Sequence, residues 1–531
     1  MRVNRTARLG SFSIPPASLI WDGTRGPICE TVCAKRILTF ARATSRAQPG
    51  PRLDRRKIDP VRILIYGINF APELVGTGKS TGEMAEWLAA GGHEVRAITA
   101  PPFNPAWQVA SGYSAWRYSM ESFFPQSTGA RGSLELAAVA TAISASQPRR
   151  LVSLYATAEV PEGVTGEAEE GLSSDAPLGG LTVFRCPVWV PRRPSAARRV
   201  LHLVSFALSS SLIMLRQVRW KPEVVLVIEP TLFCAPAAWL TGRLSAAKTW
   251  LHVQDFEADA GFEMGLLHSR ALRSLVGALE KKCMSGFDRV STISEKMLMR
   301  LPQKGVASSR SVLFRNWVDT NLIFPLSRPN PLRAEWGISQ EDVVALYSGT
   351  MGHKQGLKLL ADTAQSLAPR QRLRFVFCGE GPGKPALAAL AAQLPNVKLF
   401  PIQPAERLND LLNLADIHLL PQRADAADLV MPSKLTGMLA SGRPVVATAG
   451  AGTQLAQVVE GRGLVVPPGD ASAFSAAIVR LADSPGLRET LGKSARAYAL
   501  SDLAKEKVLS RFEQELLFAV CGNRSRQPAR H

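Results

Sequence analysis

Cysteine, aromatic residues, acidic charge and long apolar runs are all in short supply in this chain. Seven cysteines are scattered over 531 residues, and none has metal-ligand spacing; the nearest pair, Cys29 and Cys33, lies in an Arg-rich stretch. A chain this long needs no disulfide framework, so reduced thiols and a cytoplasmic location are expected. Aromatics are 7% of the chain, which makes the cores aliphatic. No apolar run reaches the roughly 20 residues of a membrane-spanning helix. The best candidate, Leu201 to Leu215, is broken by His202 and four serines and flanked by Arg198, Arg199, Arg216 and Arg219. It reads either as a buried amphipathic helix or as a helix resting in the bilayer interface. No signal-type apolar stretch follows Arg2, Arg5 and Arg8, which disfavours secretion.

Positive charge is plentiful. Lys and Arg number 63 against 44 Asp and Glu, a net charge of +19. Such an excess points to an anionic partner (phosphate groups, an acidic membrane surface or nucleic acid) without choosing among them. Residues 1–60 carry 12 bases and four acids, the composition of a disordered basic extension or of a transit peptide. An apolar share of 46% and a charged share of 20% belong to a folded protein, and the length suits two or three domains.

A fold-like pattern starts abruptly at Val61. VRILIYG is a continuous apolar run ended by glycine and predicts a fully buried strand. A loop, NFAPELVGTGKSTG, leads into GEMAEWLAAGG, where Met84, Trp87 and Leu88 have helical spacing and Gly91-Gly92 is the stop. HEVRAITA is the next strand. Strand, helix and strand in that order imply a parallel sheet. Residues 123–180 break the rhythm with seven acids, three bases and many small residues. They read as an insertion, helical near Leu134 to Ala145. The strand pattern resumes with LTVFRCPVWV, VVLVIEP, TWLHVQD and RVSTIS, and a boundary falls at Val312 to Pro325. A second α/β unit follows in VVALYSGT, RFVFCGEG, VKLFPI, IHLLPQ and PVVATA. The expected organisation is a basic extension at 1–60, a first Rossmann-like domain at 61–315 with its insertion at 123–180, a second at 326–500, and a C-terminal helix and basic tail at 501–531. Two doubly wound α/β domains would face each other across a cleft, with ligands at the carboxyl ends of the strands.

The segments that could carry chemistry all lie at such strand ends. GTGKS (76–80) invites a P-loop reading, but the first glycine of that motif is replaced by Glu73, a carboxylate where phosphate would crowd. Gly76, Thr77 and Gly78 read instead as a flexible loop between the domains, with amides that can meet an anion. In YSGTMGHKQGL (347–357), Gly349 and Thr350 let backbone amides approach a diphosphate and Lys354 adds a point charge. An ordinary βα loop would look the same in isolation. CGEGPGK (378–384), with Gly379 and Glu380, is a second glycine-rich strand end in the same unit. In MPSKLTGMLASGRPVVAT (431–448), Ser433 lies near an N-cap and Lys434 in the first turn. A lysine there opposes the helix dipole and is tolerable if an anion binds beside it. HVQDFEADAG (252–261) sets His252 and several carboxylates after a strand, where they could hold sugar hydroxyls or share a proton. Neither an H-E-x-x-H helix nor a cysteine cluster occurs, so no metal site is expected.

Taken together, these segments, with PTLFCAP and FRNWVD, resemble retaining glycosyltransferases of the GT-B fold, family 4 (group 1), and within it the bacterial exopolysaccharide enzymes of colanic-acid type. The likeness covers about Val61 to Met120 and Leu181 to Leu517. It implies a UDP- or GDP-sugar donor held by the second domain, hexosyl transfer without a metal or other cofactor, and a lipid-diphosphate-linked saccharide acceptor. It also implies a cytoplasmic enzyme, peripheral at the anionic inner membrane surface. Lys354 matches the family's diphosphate-binding lysine. Thr350 stands where relatives often carry arginine, and Ser433 and Lys434 match a Pro-Ser-Lys variant that supplies a second cation. The family's paired glutamates fall at Leu429 and Gly437, so Asp428, or else Asp425, is left to offer the sugar-facing carboxylate. His252 matches the histidine beside the donor sugar. Gly76, Thr77 and Gly78 match the loop facing the acceptor, and Gly349, Gly379 and Glu380 belong with the donor.

Two other readings fit the composition. A nucleotide-sugar 2-epimerase is also built from two such domains and would turn over donor with no acceptor. A non-enzymatic nucleic-acid-binding protein would interleave aromatics with its basic residues. The basic extension offers only Phe12, Trp21 and Phe40, widely spaced, so no nucleic-acid partner is expected.

Overall fold

The computed structural model describes residues 59–73, 76–104, 106–125, 136–141, 179–193, 195–228, 232–256, 270–352, 355–422 and 431–524. Among them, 15 strands form two sheets. The first contains β1 (Arg62–Tyr66), β2 (Glu94–Thr99), β3 (Ser119–Pro125), β4 (Leu136–Thr141), β5 (Gly180–Arg185), β6 (Val224–Ile228), β7 (Lys248–Val253), β8 (Arg289–Thr292) and β9 (Ser311–Leu313). Their order is β4-β3-β5-β2-β1-β6-β7-β8-β9. The second contains β10 (Val343–Ser348), β11 (Leu373–Cys378), β12 (Val397–Phe400), β13 (Ile417–Leu420), β14 (Val445–Thr448) and β15 (Gly463–Val466), in the order β12-β11-β10-β13-β14-β15. Its pairings are all parallel. The strand segments read from the sequence are found among these, and central ones such as β1, β6 and β10 are buried on both faces as parallel strands are.

Two sequence expectations are corrected. The stretch near Leu134 to Ala145 was expected to be helical, yet Leu136–Thr141 is β4, antiparallel to β3, which is itself antiparallel to β5. Alanine's helix preference is a weak prior that a sheet ladder overrides. GTGKST is not a loop either. The helix Gly76–Ala90 begins there, with the Thr81 hydroxyl donating to the Thr77 carbonyl at 2.7 Å. Two of its glycines, Gly78 and Gly82, serve close packing: a Cβ on Gly82 would lie 2.5 Å from the Ala71 Cβ.

Right-handed crossovers decide which helix covers which face. The chain runs from β1 to β2 in one direction and from β5 through β6 and β7 to β8 in the other. The helix Gly76–Ala90 therefore lies on one face of the first sheet. The helices Ala196–Gln217, Ala235–Ser245 and Arg270–Ser285 lie on the opposite face, over a core that includes Leu251, Val253, Phe206 and Met284. The helix Lys505–Arg524 returns from the second unit to the face of Gly76–Ala90. There Phe512 stacks on Phe314 at 4.0 Å and meets Trp250 edge-on at 5.3 Å, while Glu513 accepts from Trp87 Nε1 at 3.0 Å. The chain thus crosses between the units twice, and the two passages touch: Val318 N donates to the Leu503 carbonyl and Lys505 N to the Val318 carbonyl, both at 2.9 Å.

Candidate functional site

In each sheet the order of the parallel strands reverses beside one strand, and the loops leaving the carboxyl edge there diverge to leave a crevice. In the second sheet this switch lies between β10 and β13. Gly349 follows β10 with φ +125°, a conformation that only glycine holds without strain. The two glycine-rich loops at this edge are laced together. Gly349 N donates to the Cys378 carbonyl at 2.9 Å, Met351 N to that of Glu380 at 2.8 Å, and Gly383 N to that of Met351 at 2.9 Å. The approach is so close that a Cβ on Gly379 would lie 1.9 Å from the Gly349 carbonyl oxygen. The exposed Thr350 is fixed by its carbonyl, which accepts from the Tyr347 hydroxyl at 2.6 Å. Glu380 is exposed and pairs with Lys384.

Lys434 meets these loops from the far side of the switch. It opens the helix Lys434–Ala440, which follows the segment after β13. Its Nζ lies 4.1 Å above the ring of the buried Tyr347 and 3.8 Å from where a Cβ on Gly349 would stand. Burial alone pulls its pKa down to about 7, from an ordinary value of 10.5, and among the described residues no carboxylate offsets that cost. A half-buried cation held over an aromatic face, with no counter-ion among the described residues, is poised for an anion. Ser433 is the N-cap residue, but its exposed side chain makes no capping bond. Met431, just before it, packs against the cores of both sheets, which sets this helix start at the junction of the two units. A small cleft opens there, lined by Ser294 and Glu295 from the first unit, Arg315 and Asn316 from the linker, and Leu435 and Thr436 from the helix.

On the first sheet, Gly76, Thr77 and Gly78 form the first turn of the helix after β1. Glu73 lies against that turn, with its Oε2 2.4 Å from where a Cβ on Gly78 would be. The carboxylate accepts from the amides of Phe103 and Asn104 at 3.1 and 3.0 Å and from Asn69 at 2.9 Å. Burial raises its pKa against those bonds. The position where a P-loop would cradle phosphate is thus filled by the protein's own carboxylate.

His252 occupies the last turn of β7 toward its carboxyl end and is 2% exposed. Its Nδ1 lies 2.9 Å from the Ser291 hydroxyl, its Nε2 3.0 Å from the Gln254 side-chain nitrogen, and its ring 4.8 Å from that of Phe314. Trp250, two residues earlier on the same sheet face, donates to the same Ser291 hydroxyl at 2.9 Å. Burial lowers the imidazole pKa to about 3, so the ring is neutral at any working pH.

The structure therefore brings Gly349, Thr350, Gly379, Glu380, Ser433 and Lys434 to one carboxyl edge, places Gly76 to Gly78 at the edge of the other sheet, and packs His252 within a wall. Lys354 and Asp428, with Asp425 and Leu429, lie outside the described residues. Two contributors were not read from the sequence: Tyr347, whose ring is the floor under Lys434, and Met431, which joins the cores. Only an aromatic one residue from the end of an apolar strand hinted at the first.

Comparison with known proteins adds to this geometry. Residues 342–484 match the family described as glycosyl transferases group 1, and residues 75–317 match the glycosyl transferase 4-like domain. WcaI of Escherichia coli (strain K12), a glycosyl transferase assigned to colanic acid biosynthesis, is 38% identical over 471 residues, which are 86% of this chain and 100% of that protein. Among solved structures, sucrose-phosphate synthase from Thermosynechococcus elongatus shares the fold with a TM-score of 0.58 at 16% identity, over 86% of this chain and 99% of that one. HepE of Anabaena, solved with UDP and glucose, gives 0.53 at 13% identity over 86% and 99%.

Proposed function

This chain belongs to the group 1 glycosyl transferases, with the GT-B fold, and from that premise we propose that it moves a hexosyl group from a UDP- or GDP-sugar to a lipid-diphosphate-linked saccharide, with retention at the anomeric carbon. The product class is a cell-surface polysaccharide of the kind named for its relative WcaI. The enzyme works as a peripheral protein at the cytoplasmic face of the membrane. The observation that carries the reading is Lys434: a desolvated ammonium at the switch point of the second sheet, over Tyr347 and beside Gly349.

In this reading Lys434 and Lys354 hold the diphosphate at the mouth of the laced loops, whose Gly349, Met351 and Gly383 amides are already spent on the lacing. As the anomeric C–O bond breaks, negative charge grows on the leaving phosphate oxygen, and fixed cations in a dry site stabilise it without a metal ion. The acceptor hydroxyl forms its new bond from the same side, and its proton passes to the leaving phosphate oxygen. Asp428 faces the sugar, Gly76 to Gly78 face the acceptor, and Ser433 and Glu380 line the donor side. His252 enters as a neutral wall residue that positions its surroundings and takes no part in proton transfer.

A panel of UDP-, GDP- and dTDP-sugars read by thermal shift tests this. One UDP- or GDP-sugar should raise Tm in the wild type, and Lys434→Ala and Lys354→Ala should each weaken it by about tenfold or more, as the loss of a charge-assisted bond worth ~1.5–3 kcal/mol requires. Wild-type binding and transfer in both variants would reject the site.

A further inference from the structure

The outer surface of the three-helix layer on the first sheet is unlike the rest of the molecule. The helical stretch 197–220, longer than the run 201–215 read from the sequence, has by length and composition alone the character of a membrane span. Their helix nevertheless lies along the sheet, held by buried His202, Phe206, Ser210 and Met214. Its opposite side presents Leu201, Leu208 and Leu212 to solvent, Leu208 at 72% exposure. The neighbouring helix Ala235–Ser245 adds exposed Leu240 and Leu244, and the third, Arg270–Ser285, adds Leu275 at 66% and Leu279 at 56%. Beside the first helix, the Tyr118 hydroxyl donates to the Ser209 carbonyl at 2.9 Å, which sets the loop of the 74% exposed Trp116 at the same border. Scattered single leucines on a surface need no explanation, but a row across three adjacent helices does.

The charge on this layer is of one sign. The three helices contain a single carboxylate, Glu280, and it is buried against Lys304. Their exposed cations include Arg198, Arg199, Arg216, Arg243, Lys281 and Lys282. A protein partner would more often meet mixed charge, and a second copy would set these cations against their own kind. An anionic lipid surface satisfies both features at once: leucines enter the acyl boundary while arginines and lysines stay at the phosphates.

We propose that this three-helix face is the surface by which the enzyme adsorbs to an anionic bilayer, lying flat on it with Leu208, Leu212, Leu244 and Leu275 immersed. The purpose rests on the lipid-linked acceptor of the proposed function, but adsorption itself needs neither donor nor acceptor. The full-length protein is floated with phosphatidylcholine vesicles, with and without phosphatidylglycerol, at low and high salt. The wild type should float with the anionic vesicles at low salt and be released as salt rises. Leu208→Glu/Leu212→Glu/Leu244→Glu alters exposed side chains only and should cut recovery about tenfold, with thermal unfolding and nucleotide-sugar binding unchanged. Absence of wild-type flotation, equal flotation of the variant, or a wild-type dimer that the variant abolishes without a change in flotation would each overturn the proposal. Donor binding that persists while flotation fails removes the docking face and leaves the donor site standing; the reverse result does the opposite.

Discussion

Lys434 shows how one side chain can be costly to the fold and useful to the reaction. With its pKa near 7, the free ammonium is half deprotonated at neutral pH, and a bound pyrophosphate restores its charge. The sugar diphosphate does not itself titrate in this range. Donor binding should therefore take up a proton above pH 7, and affinity should fall by up to about tenfold per pH unit from there. The unfolded lysine keeps its proton to about 10.5, whereas the folded one releases it near 7. The unfolded chain thus binds more protons across that window, and this group's share of stability rises with pH between those values. Lys434→Met should flatten the pH dependence of donor binding, and a slope that survives in the variant would assign the titration elsewhere. The sequence offered Lys434 readily, because Pro-Ser-Lys before an apolar run marks a helix start. It did not offer Tyr347, because the ring becomes a floor only once β10 and β13 are neighbours. For His252 a signal was available. Trp250 and His252 alternate with Leu251 and Val253, so one pair faces each layer, and a position near a strand's end says nothing about burial.

At the level of elements, most parallel strands were legible as largely apolar stretches. The short β9 and β15, and the antiparallel β3 and β4, were not. β4 is rich in alanine, which reads as helix, and that hid its pairing with β3. The first turns of Gly76–Ala90 were also hidden, since glycine and threonine are poor helix formers and the compensating gain, close packing on Ala71, is tertiary. The glycines of the donor edge lead to a direct test. Gly379→Ala would drive a methyl into the Gly349 carbonyl at 1.9 Å and pry the two loops apart. A loss of ~1–3 kcal/mol is expected, together with weaker donor binding. Gly486→Ala meets nothing within 4 Å inside the helix Pro485–Tyr498 and should be neutral or slightly stabilising. Melting curves and donor titrations of the two variants separate packing at this edge from a general glycine effect, and equal behaviour would refute the interlock.

For the whole molecule, the two-sheet arrangement could be anticipated from two successive α/β rhythms, but the return of Lys505–Arg524 to the first sheet could not. A helix's amphipathic pattern reports that it has a partner and not which one. Phe512 is the principal anchor, 2% exposed between Phe314 and Trp250. Phe512→Ala should cost about 3–5 kcal/mol and should loosen the first sheet, remote from the substitution in sequence. Hydrogen exchange would show the loss at β7 and β8, and protection unchanged there would mean that the helix is not the cover it looks to be.

That same return sets synthesis against assembly. The ribosome delivers Trp250 and Phe314 long before residue 512, so the part of that face not covered by Gly76–Ala90 must wait bare through the making of the second unit. From residue 314 to residue 512 the nascent polypeptide carries an aromatic surface that only a later segment can clothe.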